Sequence, residues 1–461
     1  RILRAGSVGE WAHRRSPSQR PRGERHPAAN GSALHPHAPL PGSGESAREA
    51  GARRCCLPRE RKKKGWQIWA RSPKTYAMSI VRSWLELILD TGYVPDFILR
   101  RGIRYLNRKR LAELDYRRDL TAAQEKKMVY IEGLKKRPIA EHTEKANEQH
   151  YEVATGFFHL HLGARMKYSS CLYPEGLATG ELNKAEDHML ELYTVRAQLE
   201  DGMDILDLGC GWGSLCLYLC EARFRRGGGI SLARLACRRA RHGREMSKYP
   251  NCKISALSNS NGQREYIEGV AKAKGFKNLT VYTGDVKDFQ FEKQGRFDRV
   301  LSIEMFEHMK NYEFLLAKIA GWLKPGGMLF VHIFVHRQQP YDFVADESWM
   351  AKHFFTGGTM PAFDTLSYFQ RDLWLRKAWY VSGENYGKTS EAWLARLDAA
   401  RDGALRFLEA TYGGPEQAEI WFRRWRIFYL AVAELFSHNR GQEWGVGHYL
   451  FEKKAAVANA A

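Results

Sequence analysis

A chain of 461 residues, 44% hydrophobic and 12% aromatic, can bury a core of enzyme size and is too long to be a lone binding module. Its formal charge of +20 would fit nucleic acid or an anionic membrane, but 17 of those charges fall in two segments. Residues 1–64 hold 12 Arg and 3 Lys against 5 Glu, residues 222–247 hold 8 Arg against one Glu, and the rest is near neutral, so a nucleic-acid partner is not expected. None of the eight cysteines has a spacing suited to zinc, so no metal is expected and reduced thiols fit a cytoplasmic protein. No uninterrupted apolar run approaches the ~18 residues of a membrane span, and no apolar stretch of a secretory signal follows the N-terminal arginines.

In chain order, residues 1–77 form a basic leader. The first 61 residues lack lysine and are rich in Arg, Pro, Gly, Ser and Ala, too poor in apolar surface to offset their ordering entropy, so disorder is expected. The segment reads either as translated leader ahead of Met78 or as a transit peptide, which would make the protein organellar. From Met78, residues Ile80, Val81, Trp84, Leu85, Leu87 and Ile88 recur at helical spacing, and further amphipathic stretches make residues 78–160 a helical N-terminal cap. A membrane-surface helix competes with that reading, against the acidic Glu86 and Asp90.

Residues 161–461 read as the catalytic domain. Between Asp204 and Phe334, ILDLG, KISALS, LTVYTG, FDRVLSIE and MLFVHIFV alternate with helical patterns, which implies βαβ crossovers and a mostly parallel sheet. Pro325, Gly326 and Gly327 mark the turn into the fifth strand. Aromatic-rich helices follow to about residue 436, broken by the strand candidate AWYVSG, and WGVGHYLFEK reads as a closing antiparallel strand. The Arg-rich residues 222–247 interrupt this order; without them YLCE runs into KYPNCKISALS as helix, turn and strand. They read as a surface loop, as unremoved intron sequence or, in competition, as an RNA contact.

LDLGCGWGS, Leu206 to Ser214, is the strongest local signal: an apolar strand ends in Gly209, Gly211 and Gly213, and a helix begins near Ser214. Such glycines allow a ligand to approach backbone amides that any Cβ would screen. The spacing is GxGxG rather than GxGxxG, and no acid closes the second strand, so a nucleoside ligand other than NAD is favoured.

With SALSNSNGQ, TGDVKDF and SIEMFEHMKNY, this motif resembles the superfamily of coclaurine N-methyltransferases and cyclopropane fatty acid synthases, across about Ser79 to Lys454. MKYSSCLYPEG, FFTGGTMP, KTSEAW and AVAELF make it most similar to the coclaurine-type branch. The resemblance implies an α/β fold of class I methyltransferase type, with a Rossmann-like sheet whose last strand is antiparallel, a helical N-terminal cap and helical additions. It implies S-adenosylmethionine as cofactor: Tyr168 and Ser169 at its methionine part, Asp207, Gly209, Gly211 and Gly213 beneath it, Asn259, Ser260 and Gln263 at the ribose, and Asp285 with Val286 at the adenine. Taken alone, Asn259 and Ser260 are also common turn formers, and Asp285 could simply cap a short helix.

Cyclopropane synthases resemble one another in a glycine at the position of Glu304, a cysteine near Ser170, a tyrosine near Ser390 and a bicarbonate-binding set, of which this chain keeps Glu307 and His332; Cys171 lies one residue off. Nitrogen methylation needs a free lone pair, yet an amine with a pKa about three units above the pH is only ~0.1% neutral, a deficit of about 4 kcal/mol. A carboxylate or imidazole beside the nitrogen can take that proton. Glu304 and His308, i and i+4, share a face if their segment is helical, with Glu307 adjoining, and these three are the catalytic candidates. Trp349, Phe354, Phe355, Tyr368, Tyr386, Trp425 and Phe428 could line an aromatic acceptor pocket, although helix packing is expected for most. The expected function is methyl transfer to a small-molecule amine, benzylisoquinoline-like or other; the alternatives are methylation of a lipid alkene carbon and nucleic-acid binding through the Arg-rich tracts. A homodimer and peripheral lipid contact are compatible with the sequence.

Overall fold

The computed structural model describes residues 86–141, 153–221, 223–224, 246–247, 249–344 and 348–454. The readings made for residues 1–77, for the apolar positions from Ile80 to Leu85 and for most of 222–247 lie outside them. Past a helical stretch at 86–91, helices α1 (Asp96–Leu114), α2 (Leu120–Lys135) and α3 (Thr155–His161) occupy the region read as a cap. Helix α2 starts at Asp119, whose carboxylate accepts the Ala122 N–H at 3.0 Å and satisfies one of the four amides a helix start leaves open. Helix α4 (Leu182–Arg196) then leads into the sheet.

The main sheet and its helices alternate as β1 (Asp204–Leu208), α5 (Ser214–Glu221), β2 (Lys253–Ser258), α6 (Asn261–Lys274), β3 (Leu279–Thr283), β4 (Phe297–Ile303), α7 (Tyr312–Trp322) and β5 (Leu323–His336). After the short α8 (Trp349–His353) come β6 (Leu373–Val381), α9 (Glu384–Ala399), α10 (Arg401–Tyr412), α11 (Pro415–Phe436) and β7 (Trp444–Lys453). The seven strands lie in the order β6-β7-β5-β4-β1-β2-β3. Strands β1 to β5 are mutually parallel, and β7 runs antiparallel between β5 and β6. The reversal at β1 puts the ends of β1, β2 and β4 around one crevice, where open α/β sheets bind ligands.

Central strands covered on both faces are apolar almost throughout rather than alternating, as the burial of Ile205 to Leu208 in β1 and of Trp444 to Phe451 in β7 shows. The fifth strand departs from expectation. It already pairs at Leu323 with Phe297, and Pro325–Gly327 form an irregularity within it, after which Met328 resumes pairing with Arg299. The strand read from AWYVSG begins earlier, at Leu373.

Charge holds the N-terminal helix to the later helices. Arg100 pairs with Glu391 on α9 and, at 3.0 Å, with Glu434 on α11, while Arg426 on α11 reaches Asp96 at 3.0 Å. Farther along, the fully buried Lys310 ties Asp342 at 2.8 Å and Thr359 at 2.6 Å, and Asp342 also accepts from Arg137 and Tyr130. Asp342 and Thr359 are thereby fastened to α2, to Arg137 just beyond it and to the turn after β4.

Residues Arg223 and Phe224 pair antiparallel with Ser247 and Met246, so the Arg-rich segment leaves and re-enters the fold at one place. Replacing residues 225–245 by a short Gly/Ser link is expected to shift the thermal midpoint by less than about 4 °C, the effect of about 1 kcal/mol, with cofactor affinity unchanged by calorimetry. Loss of cooperative unfolding would contradict that account.

Candidate active site

Strand β1 ends at Leu208, and the chain turns through Gly209, Gly211 and Gly213 at φ +79°, +52° and +77° before α5 begins at Ser214. A Cβ on Gly209 would come within 2.7 Å of the Met305 side chain, and one on Gly213 within 2.7 Å of Ile267. Backbone conformation and space therefore both demand glycine there. Against this turn lies a cavity of about 540 Å³, lined by Tyr168, Ser169, Asp207, Gly209, Gly211 and Gln263 among the expected residues, together with Lys167, Tyr193, Trp212, Ser214 and Glu304. Gly213 sits behind the lining, against α6.

Other expected cofactor residues are not brought to this lining. Asn259 is exposed. Ser260 caps α6, accepting the Gln263 N–H at 3.4 Å, and Val286 packs in the core. Asp285 accepts the Lys287 N–H at 2.9 Å in a side-chain turn, and no helix follows for it to cap. Asp207 accepts the Cys216 N–H at 3.1 Å, bracing α5 against β1, and burial pushes its carboxyl up to about 7.

The cavity suits a polar nucleoside. Trp212 Nε1, Ser214 Oγ and Gln263 Nε2 are buried without a protein partner, and each such atom costs about 1–3 kcal/mol unless a ligand satisfies it. Lys167, which sequence reasoning missed, is fully buried, donates to Ser169 Oγ and, at 2.8 Å, to the Ser170 carbonyl, and stands 5.1 Å over the Tyr193 ring. It offers a cation to a ligand carboxylate. Its one sequence signal was its place beside Tyr168 and Ser169.

A second cavity, of about 770 Å³, shares Tyr168 and Glu304 with the first. Glu307 and His308 also line it, as do Phe334 from β5, Phe343 and Phe355 from the 341–360 region, Tyr386 and Trp393 from α9, and Phe428 and Phe436 from α11. Of the seven aromatic residues singled out in the sequence, Phe355, Tyr386 and Phe428 reach it. Phe354 and Trp425 are core, Trp349 packs against that core, and the Tyr368 hydroxyl accepts from Gln124 and donates toward Asp364.

Glu304 and His308 do not meet on a helix, as their spacing had implied. The Glu304 N–H still bonds the His332 carbonyl at 2.9 Å, so the chain remains attached to β5 at that point. It then turns left-handed, at φ +50°, into a single 3-10 turn, Phe306–His308. The turn, not a helix face, brings the three catalytic candidates to one cavity. Burial raises both the Glu304 and the Glu307 carboxyl. On Glu304, Lys167 is the largest opposing pull, helped by hydrogen bonds from Glu307, the Phe334 amide and the Tyr386 hydroxyl. Glu307 is raised further by the charge of Glu304, so of the two carboxyls Glu304 is the one that gives up its proton first as pH rises. His308 stacks on Phe355, with centroids 5.7 Å apart, and its Nε2 is 4.0 Å from Glu307.

Cys171 belongs to the aromatic core, where burial pushes its thiol up to about 12, and it lines neither cavity. Ser170 and Ser390 are both fully buried. Among the described residues, no group of three His, Cys, Asp or Glu side chains is arranged to hold a metal ion.

A non-glycine residue in the left-handed region costs about 1–3 kcal/mol, and a buried carboxylate adds to that. Glu304→Gly is therefore expected to leave the thermal midpoint unchanged or raise it, while abolishing methyl transfer. A clear fall in midpoint would contradict the placement of strain here.

Comparison with known proteins agrees with this geometry. The family described as mycolic acid cyclopropane synthetase matches residues 139–234 and 235–441. (S)-Coclaurine N-methyltransferase of Thalictrum flavum subsp. glaucum is 33% identical over 375 residues, covering 79% of this chain and 94% of that protein. The enzyme of the same name from Papaver somniferum is 31% identical over 370 residues, covering 79% and 97%. A crystal structure of coclaurine N-methyltransferase bound to N-methylheliamine and SAH superposes with a TM-score of 0.72 at 32% identity, covering 81% of this chain and all of that one. The cyclopropane synthase MmaA2 of Mycobacterium tuberculosis, 19% identical with a TM-score of 0.52, shares the fold over 69% of this chain and all of its own. The chain thus belongs to the mycolic acid cyclopropane synthetase family of S-adenosylmethionine-dependent methyltransferases, among its coclaurine N-methyltransferase-like members.

Proposed function

We propose that the protein methylates the nitrogen of an amine carried on an apolar, aromatic framework, with Glu304 as the base. The observation that carries this reading is that a buried carboxylate stands where the nucleoside cavity and the aromatic cavity meet. S-adenosylmethionine, held against the glycine turn, supplies an electrophilic methyl group. The remaining work falls to the chain. Aromatic walls bind the apolar frame of the acceptor, exclude water and favour a cationic nitrogen over their faces. Glu304 takes the ammonium proton and exposes the lone pair; Glu307, raised further, keeps its own proton and hydrogen-bonds Glu304 in place; His308, fixed against Phe355, completes the rim. Orientation of nitrogen and methyl carbon in line supplies much of the acceleration. We further propose a cytoplasmic protein, or an organellar one if residues 1–77 act as a transit peptide. A second copy of the chain or peripheral lipid is the further partner we propose, with Ile98 and Tyr105 exposed together on one side of α1.

A lipid alkene as acceptor is the second reading, supported by the family match and by relatives such as the cyclopropane-fatty-acyl-phospholipid synthase of Escherichia coli, 26% identical over 55% of this chain and 56% of that protein. A carboxylate where glycine would leave room counts against it. A labelled-methyl screen with benzylisoquinoline-type amines, simple amines and unsaturated phospholipid vesicles separates the two: label is expected in aromatic amines. Label confined to cyclopropanated lipid would overturn the amine reading. Because burial raises Glu304, its ionised fraction grows with pH, so kcat/KM for the amine is expected to climb on the acid side of the profile. Glu304→Gln should lower the rate and remove that climb without changing cofactor affinity; a profile of unaltered shape rejects Glu304 as the base.

A further inference from the structure

Behind Glu304 runs a row of buried polar groups that the reaction as described does not use. His332 Nε2 on β5 lies 3.0 Å from Glu304 Oε1. His332 Nδ1 is 2.8 Å from His448 Nε2 on β7 and 2.9 Å from the Tyr193 hydroxyl on α4. His448 Nδ1 in turn meets an Arg196 guanidinium nitrogen at 2.6 Å, and Arg196 stacks over Trp379 at 4.9 Å on β6. Both imidazoles are fully buried.

Chemistry fixes the direction of this row. A guanidinium only donates, so His448 Nδ1 must accept. Burial, with Arg196 and Lys167 nearby and, for His332, with His448 beside it, holds both histidines well below their ordinary range and hence neutral. A neutral imidazole carries one N–H, so the proton of His448 is on Nε2 and points at His332 Nδ1. His332 Nδ1 then accepts, its one lone pair shared between the His448 N–H and the Tyr193 hydroxyl, and the proton of His332 is on Nε2, facing Glu304. The last contact is bent, and neither His332 Nε2 nor Glu304 Oε1 has another hydrogen-bond partner. Two lone pairs 3.0 Å apart in a dry interior would repel, so one proton must lie between them.

We infer that Arg196 and His448 are positioning residues that, by fixing the tautomer of His332, make the proton facing Glu304 belong to the imidazole and so favour the ionised, proton-accepting form of Glu304. In the opposite tautomer His332 would present a bare Nε2, Glu304 would have to supply the proton, and the base would be spent before the acceptor arrived. The other charged or titratable groups facing this row are Lys167, which also favours the ionised form, Asp207 and Cys171, which lie near the Tyr193 hydroxyl, and Glu307 and Tyr386, which hydrogen-bond Glu304 from the acceptor side. The inference rests on the reading of Glu304 as base, but the tautomers themselves can be read without any turnover.

Long-range proton–nitrogen correlation spectra of the full chain labelled with ¹⁵N-histidine report which ring nitrogen bears each proton. The expected result is Nε2–H for both His332 and His448; Nδ1–H on His332 in the wild-type protein overturns the inference. Arg196→Gln, whose amide can accept as well as donate, is expected to move His332 toward Nδ1–H. It should also displace the acid limb of the kcat/KM profile upward by about one pH unit, an approximately tenfold loss near neutrality that shrinks as pH rises, with cofactor affinity retained. Arg196→Lys keeps a cation that only donates, and His448→Gln can still accept on one side and donate on the other, so both are expected to stay near the wild-type profile, whereas His448→Leu should follow Arg196→Gln. Equal loss at every pH in Arg196→Gln and His448→Leu would mean a merely structural role and overturn the inference. If Glu304 is not the base, Glu304→Gln leaves the pH profile unaltered while the tautomers stand, so the two failures can be told apart.

Discussion

A carboxylate shut away from water raises the energy of any fold that contains it, and this one does so from a left-handed backbone position. Glu304 tolerates both because several elements converge on it: Lys167 from the segment before α4, the Phe334 amide and His332 from β5, Tyr386 from α9 and Glu307 from the following turn. Remove the carboxylate and those groups lose their common partner. The two cavities meet at Tyr168 and Glu304, so the residue that strains the fold is also the one through which a donor and an acceptor could communicate. Strain concentrated at such a junction has the character of a functional constraint rather than a packing accident.

The sheet supplies the glycine turn and the end of β4, but the acceptor side is built by what surrounds it. Helices α9 and α11 furnish most of the aromatic wall, the 341–360 region closes it, and buried or half-buried ion pairs hold these pieces in register. A buried pair such as Lys310–Asp342 adds little net stability over an apolar replacement, yet losing one partner strands a charge, so it fixes position more than it adds energy. That division explains how one sheet can serve relatives with different acceptors: the cofactor side is constrained by backbone geometry, the acceptor side by side chains on added helices.

Much of this was legible in the sequence. Short runs of five to ten residues located all seven strands of the main sheet, and in β1, β2 and β7 they are nearly continuous because both faces are covered. LDLGCGWGS located the turn, because only glycine tolerates those angles so close to Met305 and Ile267. The condition set for Glu304 and His308 sharing a helix face is not met: Glu304 still bonds the His332 carbonyl, takes a left-handed conformation and leads into a single 3-10 turn. Sequence reasoning missed Lys167, His448 and most of the aromatic wall, since a buried lysine or histidine looks like any other until its partners from distant strands are known. Ser260 caps α6 and Asp285 holds a turn, as polar residues that follow strands commonly do.

The claim on which all else depends is that an acceptor nitrogen sits between Glu304 and the methyl donor. A crystal structure with SAH and an aromatic amine tests it directly. The account predicts the amine nitrogen within hydrogen-bond reach of Glu304, about 2.6–3.2 Å, and facing the sulfur past Tyr168. An amine bound with its nitrogen turned away from Glu304, toward the aromatic wall, would contradict it.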